Sequence, residues 1–264
     1  MTHRPPQWTE EHARHFQEPS VVQVYPLRLP YPPGVFDLLI ELLPTPGPRT
    51  VLDVGTGDGT IARALVDRVE RVDAVDFSAP MLATAKAAPN GDHPGIRWIE
   101  GRMEEVELSP PYGLVVCGDS LAWMDWDVVL PRFAEALAPG GLLAMVGRWE
   151  DRPPWQAELQ PLIQRFSVFK DYAEGDLVAL LKDRGLFREV GRAAIGPVPG
   201  RQRVADYVMS WYSRAGLARH KMLPEDVEAF GAGVRAAVEP HADDGWLELE
   251  TTGRVVWGTP LVPR

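Results

Sequence analysis

Short apolar runs and stretches of helical spacing take turns along the first half of the chain. Val51, Leu52 and Val54 make the first run, and Ile61, Ala64 and Leu65 then recur at the spacing of one helix face. Val72, Ala74 and Val75 follow, then Gly95-Ile99, Leu114-Val115-Val116-Cys117 and Leu142-Val146. Runs without polar alternation are what strands buried on both faces need, and they predict a parallel sheet. Helices are predicted at Gly34-Leu43, which stops at Pro44-Thr45-Pro46-Gly47-Pro48, from Ser78-Ala79-Pro80-Met81 onward, and at Asp127-Leu137. The second half is less regular. Glu174-Arg184 reads as a helix and Gly185-Val190 as a sixth strand. Pro197-Arg235 interrupts the sheet pattern with helical stretches near Val204-Ala215 and Glu225-Val238. Gly245-Trp257 alternates as a last strand, antiparallel at or near an edge. The expected fold is α/β, a Rossmann-like doubly wound sheet with helices on both faces and a helical cap.

Composition narrows the partners. The net charge of −10 argues against a nucleic-acid backbone and against an anionic membrane surface, since both want a basic face. Cys117 is the only cysteine, so no intrachain disulfide forms and a cytoplasmic location is expected. The N-terminal stretch lacks the apolar segment of a signal peptide, and no apolar run is long enough to span a bilayer. One domain is expected over residues 1–260, with an N-terminal lid or helical segment at 1–45 and a cofactor-binding core at 46–150. The rest of the sheet follows at 151–260, with an insertion at about 197–240. Residues 261–264, Leu-Val-Pro-Arg, read as the remnant of a cleaved tag. A monomer or homodimer is expected.

The candidate chemistry starts at Thr50-Val66, where a strand runs through Gly55, Gly57 and Gly59 into a helix. Such a turn lets a ligand approach the backbone closely and aims helix N–H groups at it. The dinucleotide fingerprint is not met, because Thr60 stands where it wants its last glycine. Asp53 sits two residues before the first glycine, and D-x-G-x-G-x-G resembles motif I of the class I S-adenosylmethionine-dependent methyltransferases. Tyr25-x-x-Arg28-x-x-Tyr31-Pro32 and the Ala138-Pro139-Gly140-Gly141 turn resemble further segments of that family. The resemblance covers roughly Tyr25 to Val146. It implies a seven-stranded sheet of order 3-2-1-4-5-7-6 with the last strand antiparallel, S-adenosylmethionine as cofactor and S-adenosylhomocysteine as product. It also implies a small-molecule acceptor methylated on oxygen, nitrogen or carbon. A non-methyl reaction on the same cofactor, a non-catalytic binding module and a nicotinamide oxidoreductase are the rival readings.

The resemblance places cofactor contacts at Tyr25, Arg28, Asp53, Gly55, Thr56, Gly57, Asp76, Phe77 and Met81. Asp76 closes the second strand, where an acid accepts from ribose hydroxyls. Arg28 pairs with the methionine carboxylate or is a solvated surface residue, and Phe77 and Met81 cover adenine or fill core. Arg102, Met103 and Glu104 stand where the family often has G-D-A-E, and Arg102 cannot accept the bond expected from the adenine amino group. Asp119 and Ser120 follow the fourth strand, at the right address for the methionine ammonium or the acceptor. Trp123, Tyr207, Trp211 and Tyr212 are candidate acceptor contacts or ordinary core. His12, His15 and Asp119 are candidate bases; the two histidines share a helix face that is either a lid or plain surface. No metal-ligand spacing stands out.

Overall fold

Residues buried along their whole run form the centre of the sheet. The computed structural model describes residues 4–170 and 175–262. Strand β1 (Thr50–Val54) is buried at every position. The remaining strands are β2 (Arg71–Asp76), β3 (Ile96–Glu100), β4 (Tyr112–Gly118), β5 (Leu137–Glu150), β6 (Phe187–Arg203) and β7 (Trp246–Pro260). They make one sheet of order β3-β2-β1-β4-β5-β7-β6. The pairs from β3 through β5 are parallel, while β7 runs antiparallel to both β5 and β6. This is the Rossmann-like order the resemblance implied. The strand order reverses beside β1, so the carboxyl ends of β1 and β4 flank the crevice where doubly wound sheets bind ligands.

Helices follow in chain order as α1 (Glu10–Ala13), α2 (Pro19–Val22), α3 (Pro33–Glu41), α4 (Thr60–Leu65) and α5 (Ala79–Ala87). Then come α6 (Trp126–Ala136), α7 (Gln156–Phe166), α8 (Leu177–Asp183), α9 (Val204–Ser210) and α10 (Pro224–Val238). The period-2 alternation of a strand sends neighbouring residues to opposite layers. Val51 packs with Val35 and Leu39 of α3 and Leu65 of α4. Leu52 packs on the other face with Val129 and Phe133 of α6 and Leu181 of α8. Each such side chain removed from water contributes on the order of 1.5–3 kcal/mol. A third cluster joins α7, α9 and α10 to Val24 and to Leu247 and Leu249 of β7, forming a helical cap.

Several boundaries differ from the sequence reading. The fifth strand was expected at Leu142-Val146, but β5 starts at Leu137 and takes in the expected Ala138-Pro139-Gly140-Gly141 turn past a register shift against β4. The expected sixth strand ended at Val190, but β6 continues to Arg203 past register shifts at Glu189/Gly191 and Ile195/Val198. Gly196, Pro197, Pro199 and Gly200 look like breakers in the sequence, yet β6 pairs only with β7, and an edge strand tolerates proline. The insertion therefore begins at Val204 rather than near residue 197, and its first helix starts where the sequence placed it. The expected helix start at Glu174 lies outside the described residues; α8 begins at Leu177, capped by the Asp176 side chain on Ala179 N–H. Pro263 and Arg264 also lie outside them, whereas Leu261 N–H donates to Leu186 C=O at 2.8 Å.

Candidate active site

The glycine turn is shaped by what surrounds it. Gly55 has φ 65°, and a Cβ there would lie 2.5 Å from Ser120 Cβ. Gly57 has φ 58° and faces the Tyr25 ring with room to spare. Gly55 and Thr56 both donate their N–H groups to Val75 C=O, at 2.9 and 3.0 Å, which locks the turn to β2.

Asp53 acts inside this turn and does not reach the adjoining cavity. Its Oδ2 accepts from Thr56 Oγ1 at 2.6 Å and from Ala62 N–H at 3.1 Å. The carboxyl thus satisfies a free amide in the first turn of α4. Asp58 Oδ1 takes Thr60 N–H at 3.3 Å and its hydroxyl at 2.8 Å. The start of α4 is therefore satisfied internally, against the expectation that its N–H groups point at a ligand. Burial pushes the Asp53 carboxyl up to about 7, overcoming the pull of its two donors. Asp53 and Thr56 brace the loop; neither lines the cavity.

Asp76 does line it. Its Oδ2 accepts from Gly57 N–H and its Oδ1 from Ser78 N–H, both at 2.8 Å. Burial raises the carboxyl to about 6. Ser78 in turn caps α5 through Met81 N–H and donates its hydroxyl to Phe16 C=O at 2.8 Å. Gln17 Nε2 donates to Phe77 C=O at 3.2 Å. The N-terminal segment is thus clamped across the carboxyl end of β2 and forms one wall of a cavity of about 410 Å³.

Of the expected contacts, Tyr25, Gly55, Gly57, Asp76, Phe77 and Met81 line that cavity. So do Arg102, Met103, Glu104, Asp119, Ser120 and Trp123. Phe77, Met81 and Met103 supply an apolar slot at one end. Glu104 Oε1 accepts from Asp125 N–H at 2.9 Å, and the Arg102 guanidinium lies 3.7 Å from Glu104 and from Glu105. At the other end Asp119 has φ 52°, uncommon outside glycine and a mark of functional sites. It is exposed and lines the cavity, and desolvation by the surrounding protein raises its carboxyl. Ser120 Oγ donates to Val54 C=O at 2.5 Å.

The remaining candidates lie elsewhere. Arg28 donates from Nε to Ser213 Oγ at 2.8 Å and from Nη2 to Ser213 C=O at 2.7 Å, and it stacks 4.2 Å from the Tyr25 ring. It backs the cavity wall without being part of it. His12 Nδ1 lies 2.9 Å from Thr9 Oγ1 and 3.1 Å from Gln7 C=O, with its ring against Phe169. His15 is buried, and its Nδ1–H donates to His12 C=O at 2.5 Å. Burial lowers His15 to about 3, so it stays neutral and is a poor base. Neither histidine lines the cavity. Tyr207, Trp211 and Tyr212 are core of the cap: the Tyr207 hydroxyl donates to Glu150 Oε2 at 2.8 Å and Tyr212's to Val227 C=O at 2.6 Å. A helical aromatic stripe has the same spacing whether it faces core or ligand, which is why the sequence could not separate the two. Cys117 is likewise core, its thiol pushed up by burial.

Sequence reasoning missed Glu100, and within the expected N-terminal lid it named the two histidines rather than Ala13, Arg14, Phe16 and Gln17, which line the cavity. Glu100 pairs with Asp76 in register at the adjacent strand end, a position a strand-end count could have found.

Residues 51–141 match the methyltransferase domain family. That stretch is a methyltransferase domain. An uncharacterised methyltransferase of Mycobacterium tuberculosis is 35% identical over 137 residues, covering 51% of this chain and 53% of that protein. The chain thus spans about half the length of such relatives. A trans-aconitate 2-methyltransferase of Methylobacterium nodulans is 26% identical over 229 residues, covering 78% of this chain and 84% of that one. Among solved structures, a protein of Anaeromyxobacter dehalogenans aligns at 19% identity and TM-score 0.60, covering 90% of this chain and 99% of that one. A methyltransferase of Geobacter sulfurreducens in complex with S-adenosylhomocysteine aligns at 16% and TM-score 0.53, covering 93% and all of that chain. These likenesses show the fold.

S-adenosylmethionine is the cofactor of class I methyltransferase domains, and the lining residues fit it. Asp76 and Glu100 offer carboxylates to ribose hydroxyls, Phe77, Met81 and Met103 an apolar slot to a base, and Asp119 an acid to an ammonium. Gly57 leaves its part of the cavity wall free of side chain, while Gly55 lets the turn pack against Ser120. Among the described residues no group of His, Cys, Asp and Glu is placed to hold a metal ion. No described helix is long and apolar enough to cross a membrane.

Proposed function

We propose that this chain transfers a methyl group from S-adenosylmethionine to an oxygen, nitrogen or carbon nucleophile of a small molecule. One observation carries the reading: Asp76 and Asp119 line opposite parts of a single cavity, with the glycine turn between them. When bound, the cofactor supplies a methyl group already activated by its sulfonium. The protein's share is mainly alignment, which is worth up to about 7–11 kcal/mol of barrier. Asp76 fixes the ribose, Tyr25 and the Gly55-Gly57 backbone shape the wall, and Trp123 borders the acceptor side. Asp119 is the one carboxylate at that end with its surface on the cavity. It holds a cation there, or takes a proton at a carboxylate oxygen from an acceptor that must lose one.

The relative named for trans-aconitate aligns over most of the chain and supports a small-molecule acceptor. The test is incubation of the protein and S-adenosylmethionine with fractionated host metabolites, read by mass for a gain of one methylene. Methyl incorporation into a small molecule is expected. Incorporation only into protein or nucleic acid, or none with the cofactor bound, would overturn the reading.

A further inference from the structure

Between the carboxyl end of β5 and the cap the chain gathers more positive charge than the single carboxylate of the cofactor calls for. Arg28 comes from the N-terminal segment, Arg148 from β5 and Arg214 from just after the turn that ends α9. Arg28 is committed to Ser213. Arg148 and Arg214 donate no hydrogen bond to any described residue. Each is stacked instead on an aromatic face, Arg148 4.1 Å from the Tyr31 ring centre and Arg214 3.7 Å from that of Trp211. Stacking uses the face of a guanidinium and leaves its in-plane N–H fork unspent.

The arginines also act on one another. Contacts join Arg148 and Arg214: Glu150, two residues after Arg148 on β5, accepts from Tyr207, whose ring meets that of Trp211, on which the exposed Arg214 lies. Desolvation by the surrounding protein lowers Arg214 to about 10, and Arg28 and Arg148 push it the same way. The acids that answer them are few. Asp119 faces Arg148, Arg28 and Arg254, while Glu150 faces Arg214, and desolvation raises both carboxyls. Glu150 Oε2 is already taken by the Tyr207 hydroxyl. Trp211 is 9% exposed, and its indole N–H is buried without an acceptor. Glu150 Oε1 is buried without a donor, suited to a ligand hydroxyl. Four arginines therefore face two acids, in a chain whose net charge is −10. This region adjoins the reacting end, because the Tyr31 ring on which Arg148 stacks sets its hydroxyl against Gly118, which lines the cavity beside Asp119.

We propose that Arg148 and Arg214 bind an oxyanion of the methyl acceptor, which makes the acceptor a small carboxylate or phosphate monoester. The proposal rests on the methyltransferase reading. Two guanidinium forks suit either oxyanion, since both accept paired N–H groups.

The test is calorimetry on protein saturated with S-adenosylhomocysteine. The probes are trans-aconitate and its neutral trimethyl ester, and glycerol 3-phosphate and neutral glycerol. The proposal expects at least one oxyanion probe to bind and its neutral counterpart not to; which one binds assigns carboxylate or phosphate. Arg148→Gln and Arg214→Gln should each weaken that binding about tenfold or more, as loss of a charge-assisted bond predicts. Their affinity for S-adenosylhomocysteine should change less than about twofold, since neither side chain lines the cofactor cavity in this reading. Equal binding of neutral and charged probes, or no oxyanion binding at all, would overturn the proposal without any variant. Loss of S-adenosylhomocysteine binding in folded variants would overturn it too, by assigning the arginines to the cofactor carboxylate. Failure of wild type to bind S-adenosylhomocysteine would instead sink the reading beneath it.

Discussion

Arg28 grips Ser213 twice, through its hydroxyl at 2.8 Å and its carbonyl at 2.7 Å, and so ties the N-terminal segment to the cap 185 positions away in sequence. The same guanidinium stacks on Tyr25, which lines the cavity. Arg28→Lys keeps the charge but loses the fork. It is expected to cost about 1–3 kcal/mol of stability, read by denaturant unfolding. Cofactor affinity should fall less than in a variant at Asp76, because Arg28 stands behind the wall. A cofactor loss as large as that at Asp76 would place Arg28 in direct contact with the ligand.

Gly55 and Gly57 separate two penalties. Both have positive φ, but only at Gly55 would a Cβ meet a neighbour, Ser120 Cβ, at 2.5 Å. Gly57→Ala should cost about 1–2 kcal/mol for its backbone alone. Gly55→Ala adds an overpacking cost of about 1–3 kcal/mol. Thermal unfolding of the two variants should rank Gly55→Ala clearly lower. An equal loss would mean that Ser120 moves away freely.

These positions show how much the sequence disclosed. Uninterrupted apolar runs placed β1, β2, β4 and the core of β5, since a strand buried on both faces has no other pattern. Acids at strand ends pointed to Asp76. Asp53 could not be placed, because an acid beside a glycine turn reads the same whether it faces a ligand or caps α4 from within. Arg28 and the Tyr207–Trp211 stripe were illegible for a related reason: their partners lie far away in the chain. The extension of β6 was hidden by prolines that only an edge strand accepts.

His15 makes the protein sensitive to acid. Its folded pKa, about 3, lies below the ordinary value of 6.5, so between these pH values the unfolded chain binds the extra proton. Stability from this group is present above 6.5 and is lost as pH falls below it. At pH 5 the loss is about 2 kcal/mol. His15→Asn keeps a donor for His12 C=O and removes the titration. The gap between the two proteins should shift toward the variant as pH falls from 7.5 to 5, in urea unfolding. Asp53 and Asp76, raised to about 7 and 6, oppose this trend in both proteins and cancel in the difference. A gap that does not change with pH would mean that His15 is solvated or already charged.

Asp53 and Asp76 should differ in function although both are buried carboxyls. Asp53→Asn keeps an oxygen for Thr56 and Ala62 and should leave cofactor affinity within about threefold, with its effect confined to stability. A loss of affinity as large as that at Asp76 would show that Asp53 reaches the ligand.

The central claim is that the cavity beside Gly57 and Asp76 is a nucleoside site with Asp76 on the ribose. Calorimetric titration of S-adenosylhomocysteine into wild type and Asp76→Ala tests it most directly. The account predicts saturable binding to wild type, weakened by about tenfold or more in the variant, since charge-assisted bonds contribute on the order of 1.5–3 kcal/mol each. Unchanged affinity in a folded Asp76→Ala protein, or binding of NAD with no response to S-adenosylhomocysteine, would contradict it.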